Sequence, residues 1–216
     1  MVDAILDLII ESNLTAGDPL PSSTELARRF DVSVIVVREG LASLAGRGIL
    51  NRRQGREAIV AVPGSEMLSS TLSMRARHDQ ISLEEFLHCR AALETHAASL
   101  AAARGDRHER EAALQPALER MAMAKGRNDL NAADLDFHTA VAELANNRAL
   151  TLILSSLQAV IASELYIRTR GQNGKCRSTT IEDHRRVAEA IIDGDRKGAS
   201  EAMVQHFQVA LPDFPL

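Results

Sequence analysis

Apolar residues follow two regimes along this chain. Up to Val62 the apolar runs are short and punctuated, whereas beyond Pro63-Gly64-Ser65 they recur at helical spacing over long stretches. In the first regime, Ile5, Leu6, Ile9 and Ile10 form an apolar stripe that predicts an amphipathic helix over 3–12. Thr15 to Pro21 is excluded from helix by Gly17, Pro19 and Pro21. Ser22, followed three residues later by Glu25, is a capping box that opens a helix ending near Phe30, with Leu26 and Ala27 turned inward. After a turn at Asp31-Val32, Ser33 caps a further helix that runs to about Arg47 and is stopped by Gly48. ILNRR and AIVAV then alternate as short strands around a turn at Gln54-Gly55-Arg56-Glu57. In the second regime the pattern predicts helices near 65–76, 82–104, 106–126, 128–145, 147–171, 178–194 and 196–210. Gly105-Asp106, Gly126, Asn146-Asn147, Gly171-Gln-Asn-Gly174 and Gly194-Asp195 supply the breaks, and Pro116 predicts a kink or split in the third.

The order helix, helix, turn, helix, hairpin describes a winged helix-turn-helix. The fold class is therefore mainly α, with a winged helix-turn-helix over 1–63 and an all-α antiparallel bundle of six or seven helices over 64–216. Composition agrees: 216 residues suit two domains, and 3% aromatics with no Trp leave an aliphatic, alanine-rich core that favours packed helices. No run of ~18 apolar residues is present, which excludes a membrane span. The first residues carry Asp3 and Asp7 rather than a basic n-region, and the two cysteines, Cys89 and Cys176, lie far apart. A cytoplasmic location is expected. The net charge of −4 is unevenly placed, because residues 22–62 hold seven Arg against four acidic residues, and Arg47, Arg52, Arg53 and Arg56 fall within ten positions. A basic edge on an acidic protein suits phosphate contact, while a solvated charged turn is the bland alternative. A recognition helix reads bases with its first turns, where Ser33 reaches a phosphate while capping and Arg38 reaches a guanine edge or a phosphate. Alternatively Arg38 pairs with Glu39 or Asp31 on the surface.

Three of the seven histidines stand out. Asp134 and His138 are i and i+4, so one helix face presents a carboxylate and an imidazole together. His184 lies ten residues before Gly194 and His206 eleven after Asp195, so both stand roughly 15 Å from one hairpin turn and come level in an antiparallel pair. Three imidazoles and a carboxylate suit a divalent transition metal, Zn first, with Ni, Mn or Fe as alternatives, and leave positions open for water or a ligand carboxylate. The same side chains could instead cap helices or bond across the bundle. Leu83, Leu87, Arg90, Glu94, Ala97 and Ala101 share one helical stripe, so Arg90 and Glu94 are charges on an apolar face. They either pair with one another or offer Arg90 as a bidentate partner for an organic acid.

The run GDPLPSSTELARRFDVSVIVVREGLASLAGRGIL is similar to the GntR-type DNA-binding domain. EFLHCRAALETHAASLAA, DLDFHTAVAELANN and IEDHRRVAEAIIDGDRKGASEAMVQHF resemble the helical FCD effector domain of the FadR subfamily. The resemblance covers nearly the whole chain. It implies a ligand-responsive transcriptional regulator, not an enzyme, acting as a homodimer on a palindromic double-stranded operator, with repression the expected mode. It implies DNA contacts by Thr24, Gln54 and Gly55 beside Ser33, Arg38, Arg52 and Arg53. It also implies metal ligation by Asp134, His138, His184 and His206, and a small carboxylate effector on Arg90, oriented by Glu94. Three positions depart from the pattern: Val34 replaces an arginine, Gly40 an alanine, and Glu57 the wing's second glycine. These predict weaker base discrimination. A metal-dependent enzyme using the Asp/His3 set to activate water, and a regulator sensing the metal itself, are the competing readings.

Overall fold

The computed structural model describes residues 1–52, 57–169, 179–209 and 211. The chain divides into two compact units, Met1–Leu68 and Ser69–Leu216.

In the N-terminal unit, α1 (Val2–Glu11), α2 (Ser23–Phe30) and α3 (Val34–Gly46) precede the strands β1 (Leu50–Asn51) and β2 (Ile59–Val60). The capping box at Ser22 and Glu25 forms as the sequence predicts, and Asp31 closes α2 in the left-handed conformation. Ser33 accepts from the Val36 amide and starts α3. Ile5, Leu8, Leu26, Val37, Leu41, Leu44 and Leu50 make the core. The α1 stripe is narrower than expected, since Ile5 and Leu8 are buried while Ile10 faces solvent. At 100° per residue Ile10 falls on the far side of the helix from Ile5 and Leu8. The antiparallel hairpin pairs Leu50 with Val60 and Asn51 with Ile59, and Pro19 bridges to Ile59 from the other side. Each strand is two residues long, shorter than the five-residue runs of the sequence pattern. Gly40 has a packing role: a Cβ there would come within 2.6 Å of Met1 Cγ and 3.3 Å of Ile5 Cδ1, so its absence lets α1 lie close on α3.

The remaining helices are α4 (Ser65–Asp79), α5 (Leu83–Ala102), α6 (Arg107–Met123), α7 (Arg127–Leu144), α8 (Arg148–Thr169), α9 (Thr179–Ile192) and α10 (Arg196–Gln208). The first turn of α4 belongs to the N-terminal unit, with Met67 beside Gly48. Capping boxes at Ser82/Glu85 and Asp106/Glu109 open α5 and α6. α6 runs unbroken through Pro116, so the expected split does not occur. Pro116 and Ala112 lie on the exposed side, where the carbonyl freed by the missing N–H is open to water, while Leu114, Ala117 and Met121 are buried on both sides of the proline. The break expected at Gly171–Gly174 lies outside the described residues. Among the described residues no helix is long and apolar enough to cross a membrane.

The bundle core is aliphatic and small, with Ala91, Ala97, Ala98, Ala101 and Ala102 on α5 facing Phe137, Val141, Val187, Ile191, Met203 and Phe207. Alanine on α5 lets α7, α9 and α10 approach it closely. Arg110 fastens the far end: its guanidinium donates to the carbonyls of Ile192, Ala102, Arg104 and Gly105, satisfying the last turns of α9 and α5 together. This frame fixes the height at which the functional side chains of α5, α7, α9 and α10 meet.

Candidate functional site

Six charged or imidazole side chains converge inside the bundle. Arg90 and Glu94 come from α5, Asp134 and His138 from α7, His184 from α9 and His206 from α10. Each pair on one helix is separated by four residues, which stacks the two side chains on one face. The His138, His184 and His206 rings lie with centroids 4.4–5.2 Å apart. One ring nitrogen from each falls within 4.8 Å of the other two. Asp134 stands at the edge of this group and is 31% exposed, with Oδ1 3.0 Å from His184 Nε2 and 3.8 Å from His138 Nε2. Phe137 meets the His184 ring edge-on at 4.9 Å, and Phe207 lies 5.2 Å from His206, so apolar walls enclose the imidazoles.

Glu94 is the centre of the charge arrangement. It is fully buried, accepts from Arg90 Nε at 2.7 Å through one oxygen, and meets His138 Nδ1 with the other. Burial pushes its carboxyl upward, but the Arg90 guanidinium and His138 outweigh that and hold it down to about 2. A carboxylate at Nδ1 favours the tautomer that leaves Nε2 of His138 facing the other imidazoles. Burial lowers His138, and lowers His206 well below the ordinary imidazole range with the help of His138 and His184. Asp134 is likewise pushed up by burial, yet His138, His184 and Arg90 hold it far below the usual carboxylate range. At neutral pH Asp134 and Glu94 are thus anions, and His138 and His206 are neutral: the states in which they bind cations.

Glu94 Oε2 and His138 Nδ1 face one another and His184 Nε2 faces Asp134, which leaves two further buried polar atoms here, His206 Nδ1 and Arg90 Nη2, without a hydrogen-bond partner among the described residues. Leaving such groups unmatched costs about 1–3 kcal/mol each. A divalent metal fits the first, since three imidazole nitrogens and a carboxylate form a ligand set for Zn and its neighbours. The second is a spare guanidinium donor: Arg90 Nε is taken by Glu94 and its Cζ lies 5.5 Å over the Phe207 ring, leaving Nη2 for an incoming acceptor. The sequence alternatives at Arg90, pairing with Glu94 or holding an acid, are therefore compatible in one side chain. The pattern of α5 did not reveal the contact between Glu94 and His138, which joins the two halves of the site across helices. The other four histidines stay outside it: His78 against Asp79, His88 near Glu84, and His96 and His108 exposed on α5 and α6.

On the N-terminal unit, Thr24 is exposed in the first turn of α2, Ser33 caps α3, and Arg38 is exposed on α3. Arg52 donates to the Arg38 carbonyl at 3.3 Å, laying a second guanidinium beside that helix. Arg53, Gln54 and Gly55 lie outside the described residues. Val34 packs against the N-terminal core, whereas Ile35 and Val36 point outward.

Comparison with known proteins matches residues 1–60 to the model for bacterial regulatory proteins of the gntR family, and residues 85–209 to the FCD domain. The chain is 31% identical over 203 residues to the Glc operon transcriptional activator of Escherichia coli (strain K12), covering 89% of this chain and 78% of that one. It is 28% identical over 208 residues to the HTH-type transcriptional regulator LutR of Bacillus subtilis (strain 168), covering 92% of each. Among solved structures it is similar to Streptococcus agalactiae GntR, at 25% identity and a TM-score of 0.72 over 98% of both chains. These relatives are regulators, which removes the metal-dependent enzyme from the readings. The chain belongs to the gntR family of bacterial regulatory proteins, and is a transcriptional regulator with a DNA-binding domain and an FCD effector domain.

Proposed function

We propose that the FCD domain is a metal-dependent receptor for a small carboxylate, and that its occupancy governs how a homodimer of this chain holds a palindromic operator in the cytoplasm. The observation that carries this reading is the pair of unmatched buried atoms, His206 Nδ1 and Arg90 Nη2, in one polar cluster. His138, His184, His206 and Asp134 would hold the metal, with Glu94 orienting His138 through Nδ1. A bound divalent ion supplies an open coordination position for an anionic oxygen. Arg90 supplies the second point of recognition, a directed donor already held in place by Glu94. An acid gripped at both points bridges α5 to α7, α9 and α10 and stabilises one arrangement of these helices over another. In the N-terminal unit, Ser33, Thr24 and Arg52 hold phosphates, Arg38 reaches a base edge, and Arg53, Gln54 and Gly55 are further DNA contacts.

Elemental analysis after incubation with zinc and desalting tests the metal site. The expected result is about one ion per chain, lost in His184→Ala and in His206→Ala. Stoichiometric zinc retained by both variants overturns the site.

A further inference from the structure

The recognition helix of this chain has an unusual exposed face. Val34-Ile35-Val36-Val37 is a run of four β-branched residues, poor helix formers in the first turns of α3. Two of them serve the fold: Val37 is buried and Val34 packs against the same core. The other two do not, for Ile35 is 68% exposed and Val36 39%. Ile35 shares its stripe with Glu39 and Ala42, and Arg38 lies beside it, so the exposed face offers two methyl-rich side chains and only two polar ones. Cations accompany it: Arg38 is exposed on the same helix, and the guanidinium of Arg52 reaches back to the Arg38 carbonyl. An apolar tip flanked by cations is complementary to a surface with anionic walls and an apolar feature on its floor. The major groove has that character where thymine projects its 5-methyl group between phosphate rows.

We infer that Ile35 and Val36 are specificity-determining residues that select thymine in each operator half-site by packing on its 5-methyl group. This rests on the reading of α3 as the DNA-reading helix. The arginine missing at position 34 removes one bidentate contact to guanine, and the exposed aliphatic pair shifts selection from guanine toward A·T pairs. Arg38 remains the one directional donor on the face, so the half-site combines a thymine-rich step with one hydrogen-bonded base.

The test uses the full-length protein and a random-sequence duplex pool. Enriched duplexes are remade with deoxyuridine in place of each thymine in turn, a change that removes the methyl and keeps every hydrogen-bonding group. At one or two positions per half-site the substitution is expected to weaken binding about fourfold, the worth of one buried methyl. Ile35→Ala should weaken the thymine duplex by a similar factor and lose sensitivity to deoxyuridine at its own position, and Val36→Ala should do so at the neighbouring one. Both side chains lie outside the core, and unchanged circular dichroism verifies folding. Deoxyuridine tolerated everywhere within twofold overturns the inference and leaves the DNA-reading helix standing. So does full deoxyuridine sensitivity in both variants, or an altered oligomeric state in Ile35→Ala with unchanged DNA binding, which would assign the patch to a second copy of the chain. A protein that enriches no duplex from the pool overturns the reading of α3 and the inference together.

Discussion

Glu94→Gln is the most informative single perturbation of the bundle. The substitution keeps the shape of a buried side chain but removes the negative charge that Arg90 and His138 face. Its cost follows from the carboxyl's own titration. An ordinary value of 4.5 falls to about 2 in the folded protein, so its partners favour the carboxylate strongly enough to overcome the burial that opposes it. The gap corresponds to about 3 kcal/mol. The expected loss in Glu94→Gln is about that size, in line with breaking a buried pair and leaving its cation uncompensated. The sign with pH is fixed as well. A carboxyl held below its unfolded value contributes fully above pH 4.5 and loses that contribution as pH falls toward about 2. Urea denaturation of metal-free protein, followed by far-ultraviolet circular dichroism, should show a difference between wild type and variant that is flat from pH 7 to about 5 and shrinks below that. A difference under about 1 kcal/mol at pH 7, or one that stays constant through the acid window, refutes the assignment of Glu94 as the charged keystone of the site.

The imidazoles lose stability in the same direction, in a higher pH window. His206 is held neutral well below its ordinary value, chiefly by burial, so below pH 6.5 the unfolded chain takes up a proton that the folded chain refuses. Metal-free protein should lose about 1.4 kcal/mol per pH unit for each such imidazole, and His206→Gln should flatten the slope by that amount; an unchanged slope contradicts it. Zinc occupancy should for the same reason persist below pH 6.5, which equilibrium dialysis against buffered zinc reads directly. Ser22→Ala removes one half of the capping box on α2 and should cost about 1 kcal/mol in thermal or chemical unfolding, with no effect on metal content. Arg38→Ala should weaken binding to an enriched duplex more than to random duplex in a mobility-shift assay; an equal loss on both would make Arg38 a phosphate contact.

Most element boundaries could be read from the sequence because they are set by local chemistry. The Ser22/Glu25 capping box and the Ser33 cap each start a helix where the sequence places it, and Ser82 and Asp106 start two more. His184 and His206 could be placed level because two antiparallel helices share one turn, and their rings lie 4.4 Å apart. Features that depend on contacts between distant segments could not be read. Nothing around Glu94 signals that its second oxygen meets a histidine 44 positions later. Nor does the proline at 116 announce that packing on both sides will carry α6 past it. The apolar run at the start of α3 contains both core and exposed residues, and only packing against the rest of the unit separates Val34 and Val37 from Ile35 and Val36. Gly40 shows the same limit: propensity marks it as a cost to the helix, while its purpose lies in the approach of Met1 and Ile5.

The central claim joins metal, acid and DNA in one molecule, and a single titration addresses all three. Zinc-loaded protein bound to a fluorescent duplex enriched from the random pool is titrated with small mono- and dicarboxylic acids while anisotropy is followed. At least one acid should change duplex affinity roughly 5- to 150-fold, the range of an ordinary coupling energy. The change should disappear in the presence of chelator and in Arg90→Ala. An acid effect of equal size under both of those conditions, or no effect from any acid, contradicts the claim.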